Sequence, residues 1–308
     1  MARWLIALAA AAVLTGVSGL ASRGVHPAPA GQATVRKVYV SVSDGKGGYL
    51  TDLSAADFAV KEDGKTREVT KAEPAPDMVQ VALLVDDNGL GVNDMRNGCA
   101  LFIQRLQGKA EIALITTAGQ NVTRVDFTAN TAALMSGISQ LFARTAPPGA
   151  HLLEGIYEAA KALETRKAAR SAIVVVTFLG EEYSNLRQDR VLDQLRRSGA
   201  SLHIVSIGKG DARTMSSQPG SASGSIDENI NLSKVLGDGP KQSGGRNEEM
   251  VTSAGVPKVL QLIASELLNQ TLVTYALPAG VKPSDKISVS VNRRGASLRA
   301  PTRVPDGQ

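Results

Sequence analysis

Residues 79–91 read VQVALLVDDNGLG, and their reading decides the fold. An apolar run through Val81 and Val85 stops abruptly at two carboxylates, Asp86 and Asp87. Asn88, Gly89 and Gly91 follow, and a helical pattern starts near Asn93. The run is short, rich in branched side chains and bounded by turn residues, as in a strand buried on both faces of a mainly parallel sheet. Met95, Cys99, Phe102, Ile103 and Leu106 then fall on one face of one helix. Strand, polar turn and helix open an α/β domain, and ligands of such folds sit beyond the carboxyl ends of the strands. Asp86 is expected at that place.

Downstream the unit repeats. Residues 110–116, 122–127, 172–178 and 202–207 read as strands. Helical spacing appears in Leu134, Ile138 and Leu141, in Leu152, Ile156, Ala159 and Leu163, and in Val191, Leu192 and Leu195. Alternating strands and helices predict a parallel, Rossmann-like sheet covered on both faces. The reading makes 202–207 the last strand and 209–249, rich in Ser and Gly, a long mobile loop. Val256, Val259, Leu260, Ile263 and Leu267 predict the closing helix.

The flanks read as β structure. Val38, Val40 and Val42 alternate with Lys37, Tyr39 and Ser41, so one face of that strand is buried. Ser54 begins a helical turn, and Asp63-Gly64 is a tight hairpin between residues 58–62 and 67–69. Residues 272–277 and 286–291 read as strands near the other end. Neither end has enough strands for a stable sheet, since isolated hairpins are marginal in water. A shared β domain is therefore expected, with residues 34–76 pairing with 271–303 around an α/β domain at 77–270.

Composition bounds the compartment and excludes several functions. Arg3, the apolar run 4–13 and Gly19-Leu20-Ala21 form a signal peptide, expected over residues 1–21, with a flexible exit at 22–33. Thr15, Gly16, Ser18 and Gly19 break the run short of the roughly 20 residues that a span needs. An exported protein, periplasmic or extracellular, with no membrane span after cleavage is the expectation. Cys99 is the only cysteine, so no intramolecular disulfide forms, and its place on a helix's apolar face makes it a buried small hydrophobe. The net charge of +5 is mild, and the basic residues near the C-terminus lack the interleaved aromatics that stack on bases, so no nucleic acid partner is expected.

The opening stretch resembles the first strand of a von Willebrand factor type A domain. A longer match is to bacterial secreted relatives of that domain, whose prelude is matched here by Val42, Asp44, Gly47 or Gly48, Leu53, Asp57, Phe58, Val60, Glu62, Asp63 and Gly64. Their ending is matched by Asn269-Gln270 and by Tyr275 in a strand. The resemblance implies the α/β fold and a crevice built for a metal-ion-dependent adhesion site, D-x-S-x-S plus a Thr and an Asp from two further loops. Here Asp86 is kept, but Asn88, Leu90, Ala150 and Phe178 stand at the other four positions. A hard cation needs an oxygen cage. No cofactor is therefore expected, the alternative being Mg or Ca on Asp86 and Asn88 with Glu181, Glu182, Asp87 or Glu154 substituting. Without a metal, Asp86 is expected to cap its turn or the following helix.

His151 lies near the crevice, at a predicted helix start, whereas His26 and His203 fall in the exit segment and within a strand. No nucleophile elbow, zinc-protease, P-loop or dinucleotide motif occurs, so no enzyme is expected. The expected function is a protein-interaction or adhesion module with a protein or cell-envelope partner. That partner would sit on the crevice residues Asp86, Asp87, Asn88, His151, Glu181 and Glu182.

Overall fold

The structure, a computed structural model, describes residues 34–76, 78–87, 91–142, 149–178, 182–208 and 226–305. The expected signal and exit segments, Asn88, Leu90, Glu181 and the first part of the expected loop, 209–225, lie outside the described residues.

Strand β1 (Thr34–Ser43) buries Val38, Val40 and Val42, as its alternation requires. A 3₁₀ turn (Ala55–Asp57) leads into β2 (Phe58–Glu62) and β3 (Lys65–Pro74). The turn is held by the Ser54 amide, which donates to Asp57 Oδ2 at 2.8 Å. Asp63 and Gly64 have φ of 49° and 74°, the double positive φ of a type I′ hairpin.

The α/β layer begins with β4 (Val79–Val85), α1 (Val92–Leu106), β5 (Ala110–Thr116), β6 (Val122–Thr128) and α2 (Thr131–Ser139). It continues with α3 (Leu152–Thr165), β7 (Ser171–Phe178), α4 (Gln188–Ser198) and β8 (Ser201–Ile207). It ends with α5 (Ile226–Ser243), β9 (Asn247–Met250) and α6 (Val256–Leu268). The strand order is β6-β5-β4-β7-β8-β9. All neighbours are parallel except β6, which turns back antiparallel on β5 after Gly119, whose φ is 73°. Val79, Val81, Leu83 and Val85 pack with α1, α2 and α6, while Ala82 and Leu84 face α3, α4 and α5. Fully burying one Val or Leu side chain is worth about 1.5–3 kcal/mol, so both core layers converge on β4.

Two expectations are corrected here. Residues 226–243 are helix and 247–250 are strand, so the expected loop does not extend to 249 and β8 is not the last strand. Leu232, Val235 and Leu236 hold helical spacing inside a polar run, and all three are buried against the layer. Pro240 lies in the last turns of α5.

The ends of the chain share one antiparallel sheet. Strands β10 (Thr271–Leu277), β11 (Ile287–Val291) and β12 (Ser297–Arg299) complete the order β11-β2-β3-β10-β1-β12. Val38 pairs with Val273, and a bridge between Lys286 and Arg303 brings the two edges together. Inside lie Phe58, Val60, Val273, Tyr275, Ile287 and Val304, with a buried ion pair of Arg36 and Glu62 and Arg67 at 3.4 Å from the same carboxylate. Among the described residues no helix is long and apolar enough to cross a membrane.

Candidate functional site

Strand β4 lies between β5 and β7, so the chain leaves it to one side and returns on the other. That reversal opens a crevice at the carboxyl ends of β4 and β7. Backbone bonds gather its floor. The Asp86 amide donates to the Val176 carbonyl at 2.8 Å, and the Thr117 amide to the Val85 carbonyl at 3.0 Å. Ala150 bridges both Ala118 and Glu182. The chain thus brings Asp86, Asp87, His151 and Glu182 to one end of the sheet, whereas His203 lies inside β8.

Asp86 and Asp87 are 1% and 0% exposed. Asp86 Oδ2 accepts from the Thr177 hydroxyl at 3.1 Å and from the Phe178 amide at 3.2 Å. The carboxylate therefore ties β4 to β7. The turn that Asp86 is expected to cap runs through residues 88–90, outside the described residues, and the residue at the start of α1 is Gly91, which has no side chain of its own to cap it.

Glu182 is also buried, and its oxygens accept from the Leu152 and Leu153 amides at 3.2 and 3.1 Å. These are the first amides of α3, which have no acceptor inside their own helix. A carboxylate from 29 and 30 residues away caps the helix, where a negative charge is favoured. Burial nevertheless pushes the Glu182 carboxyl up to about 7, against the Ser184 hydroxyl and the two amides, which pull it down.

The crevice rim is polar. His151, at the start of α3, is one third exposed, with Nδ1 3.9 Å from Glu154 Oε2 and its ring 6.4 Å from that of Tyr183. Asn121 Nδ2 donates to the His151 carbonyl at 3.1 Å, and Glu154 Oε1 accepts from the Asn185 amide at 2.8 Å. Asn121, Thr177, Tyr183 and Ser184 were not singled out as site residues by sequence. The one local signal was the polar Thr177 ending an apolar strand.

Ala150 and Phe178 offer no side-chain oxygen, and Asp86 Oδ2 already serves two protein donors. Among the described residues no group of three or more His, Cys, Asp or Glu side chains is placed to hold a metal. His203 is buried, its Nε2 lies 3.0 Å from the Ser201 hydroxyl, and burial lowers it to about 4, so it is neutral near pH 7.

No family model matches the chain, and no curated protein matches it by sequence. Solved structures resemble it at low identity. A von Willebrand factor type A protein from Catenulispora acidiphila is 10% identical over 92% of this chain and 76% of its own, with a TM-score of 0.47. Proximal thread matrix protein 1 from the mussel byssus is 12% identical over 73% of this chain, with a TM-score of 0.44, and the present chain spans 50% of its length. The von Willebrand domain of the type V pili tip protein Mfa5 from Porphyromonas gingivalis is 14% identical over 60% of this chain and 93% of its own, with a TM-score of 0.43. The architecture stands on the strand order and helix packing above, and these likenesses transfer no role to any residue.

Proposed function

We propose that this chain is an exported, non-catalytic protein-interaction or adhesion module of the von Willebrand A-like kind, which holds a protein or cell-envelope partner on its crevice loops without a metal ion. The observation that carries this reading is the use of the crevice carboxylates: Asp86 serves Thr177 and Phe178, and Glu182 serves the start of α3. Oδ2 of Asp86 and both oxygens of Glu182 are engaged by the protein's own donors. What they leave for a partner is the rim of His151, Glu154, Tyr183 and Asn185, side chains that a protein surface can contact from outside. The non-catalytic part is supported by the surroundings of the histidines. His151 Nδ1 lies 3.9 Å from a Glu154 carboxylate oxygen, and His203 is enclosed in the sheet.

The test is capture from a cell-envelope extract on the immobilised full chain, with and without a chelator, combined with a thermal melt. Capture and melting temperature are expected to be indifferent to the chelator. A ligand held at 100 times its dissociation constant contributes about 2.7 kcal/mol, so loss of a genuine cation would lower the melting temperature by several degrees. Such a drop, or capture that the chelator abolishes, overturns the metal-free reading. Capture that survives substitution of both His151 and Tyr183 by Ala would move the partner away from the crevice.

A further inference from the structure

We propose that a second ligand site lies at the opposite end of the α/β layer, in the cleft between that layer and the terminal β-sheet, and that it takes an acidic sugar, a short glycan bearing uronate carboxylates. The cleft holds about 570 Å³, within the usual range for ligand sites of about 300–1,000 Å³. Its walls are the first half of β1, the C-terminal ends of α3 and α4, the starts of β7 and β8, and the run after Pro301.

The pair Asn269-Gln270 leads from α6 into β10, and its two amides differ in use. Asn269 Nδ2 donates to the Ser265 carbonyl at 2.7 Å and closes the helix. Gln270 lines the cleft and is only 7% exposed, yet its buried Oε1 has no hydrogen-bond partner among the described residues. Ser171 Oγ, in the same lining and in a residue equally buried, is unpartnered as well. A buried polar group without a partner destabilises the protein that holds it, whereas an apolar side chain of the same shape would not.

Lys167 carries a second local cost. It stands just past α3 with φ of 52°, the left-handed conformation that glycine adopts where a helix ends. A lysine there sets an ammonium in the cleft lining in exchange for backbone strain. The arginines of the lining are engaged: Arg196 and Arg197 with Asp193, Arg303 with Asp285, and Arg170 with the Ala75 carbonyl. Lys37 and Lys167 are exposed and form no ion pair among the described residues. Glu164, the lining carboxylate, accepts from Gln194 Nε2 at 2.6 Å.

Together these groups select a ligand that carries both hydroxyls and a carboxylate. The two ammonium groups attract an anion, but a plain carboxylate has no hydrogen to give to Gln270 Oε1. A neutral sugar has the hydroxyls and leaves both lysines unpaired. Sugar hydroxyls donate and accept alike, so they serve Gln270 and Ser171 together, while a ring carboxylate meets Lys37 or Lys167 in a charge-assisted bond.

The probes are trigalacturonate and a short alginate oligomer, titrated into the full chain by calorimetry. At least one is expected to bind, more weakly at high salt, with neutral maltotriose weaker by at least about tenfold. Two substitutions separate ligand from fold. Gln270→Met replaces the unpaired amide by an apolar side chain of similar shape, and Lys167→Gly relieves the left-handed backbone. Each should leave the melting temperature unchanged or higher and weaken uronate binding by at least about tenfold. No heat with either uronate, or binding indifferent to both substitutions, overturns the proposal. So does a clearly lower melting temperature for Gln270→Met, which would mean that the protein itself uses the amide. Equal binding of maltotriose would remove the carboxylate from recognition and overturn it. Tricarballylate or hexaglutamate displacing the uronate at equal concentration would make the site one for small anions or acidic peptides and overturn it equally.

Discussion

The buried carboxyl of Glu182 makes stability depend on pH in a direction that one substitution isolates. It is 1% exposed, and burial raises it from an ordinary 4.5 to about 7. An acid raised in the folded state favours folding while protonated. Its contribution is therefore complete below pH 4.5, declines as the unfolded chain releases a proton that the native protein retains, and is gone above pH 7. One pKa unit is worth about 1.4 kcal/mol, so the window of roughly 2.5 units costs about 3 kcal/mol. Glu182→Gln keeps the shape and an acceptor for Leu152 and Leu153 but cannot ionise. The difference in unfolding free energy between variant and wild type should thus be near zero at pH 4.5 and grow to about 3 kcal/mol by pH 8 in favour of the variant. The carboxylates Asp44, Asp57 and Asp189 are lowered by local hydrogen bonds and titrate in the opposite sense, but they are common to both proteins and cancel. Urea unfolding followed by circular dichroism is the assay, since the one tryptophan, Trp4, falls in the expected signal peptide. Glu182→Ala separates capping from charge, because relative to the Gln variant, which cannot ionise either, losing the acceptor should cost about 1–2 kcal/mol at every pH. A difference between the Gln variant and wild type that stays flat from pH 4.5 to 8, or that grows as pH falls, refutes the argument.

Three further outcomes follow from the packing. Arg36→Ala strands the Glu62 carboxylate in the β-sheet core and should cost about 3–5 kcal/mol, whereas the triple replacement R36M, E62L and R67M should restore most of it; denaturation midpoints decide. Cys99 is 0% exposed and its thiol is pushed up to about 12, so alkylation at pH 8 should proceed only as fast as the core opens, and rapid labelling of the native protein would place it outside that core. A Cβ on Gly245 would stand 1.9 Å from the Leu202 carbonyl oxygen, so Gly245→Ala should cost about 3 kcal/mol by forcing the turn before β9 off β8; Gly237→Ala in α5, with open space around it, should be neutral or stabilising by up to about 1 kcal/mol, and equal melting shifts would contradict the packing of that turn.

What could be read from the sequence is what neighbouring residues impose on one another. Val38, Val40 and Val42 announce one buried face, Asp63-Gly64 a type I′ hairpin, and the unbroken apolar runs of β4 and β7 two buried faces. The failures have the same root. Three apolar residues anchor α5, and the Ser, Gly and Asp around them hide its period. Strand β9, Asn-Glu-Glu-Met, lies at a sheet edge with alternate residues exposed, so it carries no hydrophobic signature. The crevice was legible as a place and not as an arrangement. A strand ending in Asp86 locates it, but the hydroxyl that engages Asp86 is 91 residues away, and the helix that Glu182 caps begins 30 residues before it. A buried carboxylate must find donors somewhere, because leaving it unpaired costs several kcal/mol. Sequence alone showed that side-chain oxygens were missing at Ala150 and Phe178. It did not show that the backbone amide of Phe178 donates to Asp86, or that the amides of Leu152 and Leu153 donate to Glu182. Loss of a ligand side chain leaves its amide in place, and two carboxylates here use amides in those same loops.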